Sequence, residues 1–146
     1  MKKTLIMCIG NRYGGDDSVG PYVADKLKDT DFQVIDCSTN PENYTSIVKK
    51  SSPDELVIID AADMGLKTGE VRIIPKEKIG VMHISTHNIP ISVIIDYLKQ
   101  YVKKIIFIGI QPEKMEGDIT IAVKKSADNF VKIIISENLR IIKTLN

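Results

Sequence analysis

Two cysteines are all that the 146-residue chain contains, Cys8 and Cys37, with no CxxC spacing between them. That rules out a secreted scaffold stapled by disulfides, and both read as small buried apolar side chains. Neither sign of charge dominates: 20 basic residues stand against 19 acidic ones, a formal net charge of +1. Nucleic acid would need a basic footprint and a membrane surface a basic amphipathic helix, and the chain offers neither. Apolar runs are short, well below the roughly 20 residues a bilayer span requires. The opening MKKTLIMCIG has the charged start of a signal peptide, yet runs straight into GNRYGGDD with no small-residue cleavage site. A cytoplasmic protein is therefore expected. There is no internal repeat or linker, and the length suits one domain spanning residues 1–146.

What is present alternates. Thr4 to Ile9 reads as a buried strand, and residues 19–28 as a helix with Val19, Val23, Ala24 and Leu27 on one face. A second strand follows at 32–37, then a short helix at 44–50 announced by Pro41-Glu42-Asn43. A third strand, ELVII, runs from Glu55 to Ile59 and ends at Asp60. Residues 69–74 suit a short edge strand, antiparallel to the rest. An amphipathic helix occupies 90–101, with proline near its first position. IIFIGI at 105–110 is another buried strand, and 126–145 reads as a long final helix. Its apolar residues cover more than one face, which suits a helix buried within its own domain; a subunit interface is the minority reading, and the oligomeric state stays open. Strands apolar throughout, alternating with helices, predict a mostly parallel sheet covered on both faces: an α/β fold of three layers, α/β/α. In such sheets ligands bind beyond the carboxyl ends of the strands.

Three segments fall at that edge: GNRYGGDDSVGP at 10–21, DAAD at 60–63, and HISTHN at 83–88. The first has the glycines of a phosphate loop but not their spacing, neither GxGxxG nor a P-loop, and its Asp16 and Asp17 would repel a phosphate. The acids are compatible with stabilising the positive end of the helix that begins near Val19, which explains one of them better than two. Asp60 is compatible with a turn after its strand, and His87 with a loop histidine or a helix-start network before Pro90. Taken together, carboxylates and an imidazole at the ends of three segments suit a divalent metal of borderline hardness, nickel or zinc, with coordination positions left open. His83 is left out of this set.

The stretches CIGNRYGGDDSVGP, IDCSTNPEN, IIDAADMGLKTGEVRIIP, STHNIPISVIIDYLK and IFIGIQPE resemble, in the same order, the hydrogenase maturation endopeptidases, in particular the formate-hydrogenlyase-type branch. The resemblance extends to about Glu113. It implies an α/β/α fold of the phosphorylase/hydrolase-like kind and an activity: removing a C-terminal extension from the large-subunit precursor of a nickel–iron hydrogenase after nickel insertion. It also implies three catalytic, metal-contacting positions. The second acid of GDD falls on Asp17, the acid ending the third strand on Asp60, and the histidine of THN on His87. Asp16 and Asp63 are neighbours without that role. The nickel would be carried by the precursor, and another divalent metal can occupy the site in vitro. Many relatives have glycine at the position of Cys8 and glutamate at that of Asp17, and both variants fit the branch named.

On this reading the metal positions the scissile peptide, acts as Lewis acid or activates a water; alternatively it is a recognition mark and an acid serves as general base. No serine or cysteine has an evident base partner. A nickel-handling protein that binds the precursor without cutting it is the alternative. A signalling receiver fits worse, because GNRYGG separates the first strand from the acids and GIQPEK follows the last strand where a receiver places its lysine.

Overall fold

The computed structural model describes residues 2–80, 83–84 and 89–146. Strands β1 (Thr4–Ile9), β2 (Gln33–Ser38), β3 (Glu55–Asp63) and β6 (Lys104–Ile110) pair in parallel in the order β2-β1-β3-β6. β4 (Val71–Ile73) runs antiparallel on the far edge beside β6, as the alternation at 69–74 leads one to expect. A two-residue strand, β5 (His83–Ile84), pairs antiparallel with Ala62 and Asp63 at the end of β3.

Side chains alternate across a strand, so each buried strand feeds two cores. On one face Leu5, Met7 and Ile9 of β1 join Leu56, Ile58 and Ala62 of β3. Helices α2 (Thr45–Ser51), α3 (Lys76–Ile79) and α4 (Ile91–Leu98) cover this face. α4 forms because Ile91, Ile94, Ile95 and Leu98 recur at helical spacing after Pro90, whose fixed φ starts the turn. On the other face Ile6, Cys8, Val57 and Ile59 pack beneath α1 (Val19–Leu27) and α5 (Ile121–Ile135). Leu56 is fully enclosed; Leu56→Ala would cost about 2–5 kcal/mol through the cavity left behind.

The last helix departs from the sequence expectation. It begins at Ile121, five residues earlier than 126, because Thr120 acts as N-cap and accepts from the Val123 amide. It ends at Ile135. Glu137 adopts a left-handed conformation, and the amides of Glu137 and Asn138 close back on Ile134 and Ile133. That is a Schellman stop without its usual glycine. Residues beyond it form a short 3-10 turn, Leu139–Ile141, and return to β4, where the Leu145 amide donates to Ile73. Phe130, Val131, Ile134 and Ile142 are buried within the domain. β3 also runs three residues past Asp60.

From β1 the chain moves outward to β2, then returns to place β3 on β1's other side. The strand order therefore reverses between β1 and β3, the place where open parallel sheets bind ligands beyond the strands' carboxyl ends.

Candidate active site

The loop after β1 is built from backbone contacts too close for any side chain. A Cβ on Gly20 would lie 2.1 Å from the Ile9 carbonyl oxygen, so α1 could not start so near the strand end. Gly15 has φ +62°, and a Cβ there would meet the backbone of Lys114 and Glu116 at 2.6 Å. The glycines thus admit neighbouring backbone, where a phosphate loop would admit phosphate.

Asp16 and Asp17 occupy the same 3-10 turn, Gly15–Ser18, and have opposite roles. Asp16 is fully buried and saturated. Its Oδ2 accepts from the amides of Glu113 (2.8 Å) and Lys114 (3.2 Å), and its Oδ1 from the amide (2.7 Å) and hydroxyl (3.0 Å) of Thr120. The Asp16 amide in turn donates to the Lys114 carbonyl at 2.8 Å. Asp16 therefore acts as an internal anion in a nest of N–H groups at the start of α5. The helix it serves is α5 and not α1, the helix its sequence position suggests.

Asp17, also buried, is only partly answered. Its Oδ2 accepts from the Asn11 amide at 3.0 Å, while its Oδ1 is buried and meets no donor among the described residues. A buried carboxylate oxygen left unanswered costs about 1–3 kcal/mol or more, a cost that a bound cation would remove. Asp60 lies within the buried stretch of β3, which runs on to Ala62, and is fully enclosed. It shares the face of Leu56, Ile58 and Ala62, and the register that sets Cys8 opposite Ile59 brings it level with the end of β1. The 3-10 turn carrying Asp17 packs against β3, so the two acids flank the point where the strand order reverses. His87, the third sequence-predicted position, lies outside the described residues. Among the described residues no group of three His, Cys, Asp or Glu side chains forms a metal site. A carboxylate pair with one unanswered oxygen fits a hard-to-borderline divalent cation that brings its own further ligands.

Both cysteines stay protonated. Burial pushes the Cys37 thiol well up, and the carboxylates of Asp36, Asp60 and Glu42 raise it further. Burial raises Cys8 too, helped by Cys37 and Asp36. Neither is a thiolate nucleophile at neutral pH, in keeping with the expectation from sequence.

Two supports escaped the sequence reading. Gln111, just beyond β6, accepts from the Met64 amide at 2.7 Å through Oε1 and donates through Nε2 to Asp63 Oδ1 at 3.1 Å, binding the end of β3 to that of β6. A buried polar residue directly after IIFIGI was the available signal. Arg12 grips Asp25 through both terminal nitrogens, at 2.6 and 3.1 Å, and Asp36 at 2.6 Å. Its two partners come from α1 and β2, and Arg12 ties both to the loop, which spacing cannot reveal.

Known proteins resemble this chain in both sequence and fold. The family model described as HycI, hydrogenase maturation protease, matches residues 21–137. The hydrogenase 3 maturation protease of Escherichia coli K12 is 41% identical over 113 residues, covering 75% of this chain and 72% of the relative. Among solved structures, the endopeptidase HycI from Escherichia coli superposes with a TM-score of 0.88 at 32% identity, over 99% of this chain and 97% of that one. The NiFe hydrogenase maturation protease HycI from Thermococcus kodakarensis KOD1 gives 0.82 at 30% identity, over 95% and 93%. The chain thus belongs to the hydrogenase maturation protease family, as an endopeptidase of hydrogenase maturation.

Proposed function

We propose that this endopeptidase removes the C-terminal extension of a nickel–iron hydrogenase large-subunit precursor once nickel has been inserted, and that Asp17, Asp60 and His87 contact the nickel while the precursor still holds it. The observation that carries the reading is the buried, unanswered Oδ1 of Asp17 beside the point where the strand order reverses between β1 and β3. An acid in that state attracts a divalent cation, and two carboxylates with one imidazole form a site of intermediate softness. Such a set holds metal weakly by itself and completes a coordination sphere that a substrate has begun, so only loaded precursor engages fully. Another divalent ion such as zinc would enter the same site in vitro.

The precursor's nickel would supply Lewis acidity and a fixed point from which the scissile peptide is placed. The chain's residues do the rest. Asp17, held by the Asn11 amide, keeps its other oxygen unanswered among the described residues. Asp60, enclosed by core side chains, keeps its carboxylate in a medium where charge is felt strongly. Hydrolysis adds a water oxygen to the carbonyl carbon, breaks the C–N bond and delivers a proton to the leaving amine; one of the two carboxylates takes the water's proton. The same reading treats residues 1–146 as one catalytic domain acting in the cytoplasm, where the precursor matures. Among the described residues no helix is long and apolar enough to cross a membrane.

The test is a cleavage assay on the host's own precursor, nickel-loaded and nickel-free, followed by intact mass spectrometry. Loss of a C-terminal peptide from the loaded form alone is the expected result. Cleavage of both forms would remove nickel as the checkpoint. Normal cleavage by Asp17→Ala and Asp60→Ala would overturn the site assignment.

A further inference from the structure

We propose that Gln111 is a positioning residue for peptide cleavage. Its side chain fixes the end of β3, the strand of Asp60, against the segment that locks the Asp17 turn, and so sets the separation of the two acids; this rests on the reading of Asp17 and Asp60 as the site. The ladder between β3 and β6 ends at Ala61 and Ile110. β3 runs on through Ala62 and Asp63. Gln111 is the first residue after β6, and its side chain takes over the joining of the two strand ends where the ladder stops.

The carboxamide is buried and used on both sides. Oε1 accepts from the amides of Met64 (2.7 Å) and Leu66 (3.3 Å), and Nε2 donates to Asp63 Oδ1 (3.1 Å) and to the Pro112 carbonyl (3.4 Å). Two N–H donors on one side and two oxygen acceptors on the other admit a single orientation of the amide. The backbone is engaged as well. The Gln111 amide donates to the Glu70 carbonyl, and the Gln111 carbonyl accepts from the Gly69 amide, both at 2.9 Å. Gln111 is thus anchored to the approach to β4 by its main chain and holds the end of β3 with its side chain.

The residues that follow reach the other acid. Glu113 and Lys114 donate their amides to Asp16 Oδ2 at 2.8 and 3.2 Å, and the Lys114 carbonyl accepts from the Asp16 amide. Asp17 comes next in the same 3-10 turn. Residues 111–114 therefore connect the strand of Asp60 with the turn of Asp17, and Pro112 between them restricts the backbone. Gln111 is the one buried residue of the four. Two carboxylates that share a cation tolerate little error in their spacing, and a misplacement of about 1 Å costs on the order of 100-fold in rate. Glutamine suits the task because one neutral group both accepts and donates. A glutamate there keeps the acceptor, loses the donor and sets a second negative charge against Asp63.

The experiment measures kcat and KM for processing of full-length, nickel-loaded precursor by the intact enzyme, Gln111→Met and Gln111→Glu, at several pH values and under conditions where circular dichroism shows each variant folded. Gln111→Met keeps the volume and removes both hydrogen-bonding functions. It should lower kcat roughly tenfold at every pH, with KM within about twofold of wild type. Gln111→Glu should lower kcat roughly 100-fold at neutral pH. Relative to wild type it should regain most of that as the pH falls, because the introduced carboxyl, once protonated, donates to Asp63 as Nε2 did. A role in the fold alone would lower the urea midpoint and leave kcat at its wild-type value, and that result overturns the proposal. So does a loss confined to KM, or a Gln111→Glu deficit that stays constant with pH. Asp17→Ala separates the two ideas. Normal kcat in both Gln111 variants beside an inactive Asp17→Ala refutes the positioning role and leaves the site reading standing. Normal turnover by Asp17→Ala refutes the site reading, and the proposal with it.

Discussion

Both ends of the parallel sheet bury a carboxylate, and they treat it differently. At the amino end Glu55, 2% exposed, is met by Lys2 Nζ at 3.3 Å and Lys104 Nζ at 3.2 Å, each lysine keeping its head near water. At the carboxyl end Asp17 is nearly as buried and has one oxygen with no donor among the described residues. The amino end also has a cavity of about 390 Å³, lined by Ile6, Phe32, Val57 and Ile106 beside that neutralised acid. At the amino end a cavity thus lies beside an answered acid, while at the carboxyl end a buried acid has an unanswered oxygen. On the function proposed above, charge is the better guide, because a precursor that brings its own metal also brings the volume and the site need only bring ligands. Asp16 and Asp17 repeat the contrast one residue apart: the first is saturated by N–H and O–H donors and serves the fold, the second has one oxygen left without a donor among the described residues.

The largest effect expected from this contrast is in catalysis. Asp17→Asn and Asp60→Asn should each lower processing by roughly 100-fold or more, as for removal of a group acting at the reacting centre, read as the rate of precursor mass loss. Next is Asp16→Ala, which strands the amides of Glu113, Lys114 and Thr120; it should cost about 3 kcal/mol or more by urea denaturation. A wild-type midpoint would mean the clamp is slack.

Smaller and opposite in sign are the stability effects of the two buried acids. Asp17→Asn removes an uncompensated buried charge and should stabilise the fold by about 1 kcal/mol. The double change Lys2→Met with Lys104→Met leaves the Glu55 carboxylate buried and unanswered, and should destabilise by about 1–2 kcal/mol after allowance for the exposure of both lysines. Shifts of the same sign in the two experiments would erase the distinction between the ends.

The smallest effect concerns Tyr22, whose hydroxyl donates to Asp128 Oδ1 at 2.6 Å and joins α1 to α5. Burial, then Asp128, pushes its pKa up from 10.0 to about 12. A raised folded-state value means the neutral phenol is the stabilising form. Its contribution is intact below pH 10 and is lost as pH rises towards 12. Wild type should therefore lose stability against Tyr22→Phe across that window, measured by denaturation at several pH values. A constant difference would show that the phenol is not held neutral.

The legible parts of the chain were those governed by local periodicity. TLIMCI, ELVII and IIFIGI are too apolar for a sheet exposed on either face, and they did form the central parallel strands. Val19, Val23, Ala24 and Leu27 marked α1, and Ile91, Ile94, Ile95 and Leu98 marked α4. The end of the last helix was not legible, because Glu137 takes a left-handed turn where a glycine would have announced it. The pairing of roles within the site was only half legible. Two adjacent acids after a strand suggest a site, but which one faces it depends on where the segment from Glu113 to Thr120 lies, and that segment is nearly a hundred residues away.

The sequence by itself determined an α/β fold, the set of strands, and the presence of acids at their carboxyl ends, because hydrophobic period and turn chemistry act over a few residues. Tertiary structure alone decided that β1 and β3 are the neighbours across which the order reverses. It alone decided that Glu55 meets lysines from two other places in the chain, and that Asp16 is saturated by donors while one oxygen of Asp17 is left unanswered. Whether a buried charge is answered is a property of what surrounds it in space, and the neighbours that answer it come from distant parts of the chain.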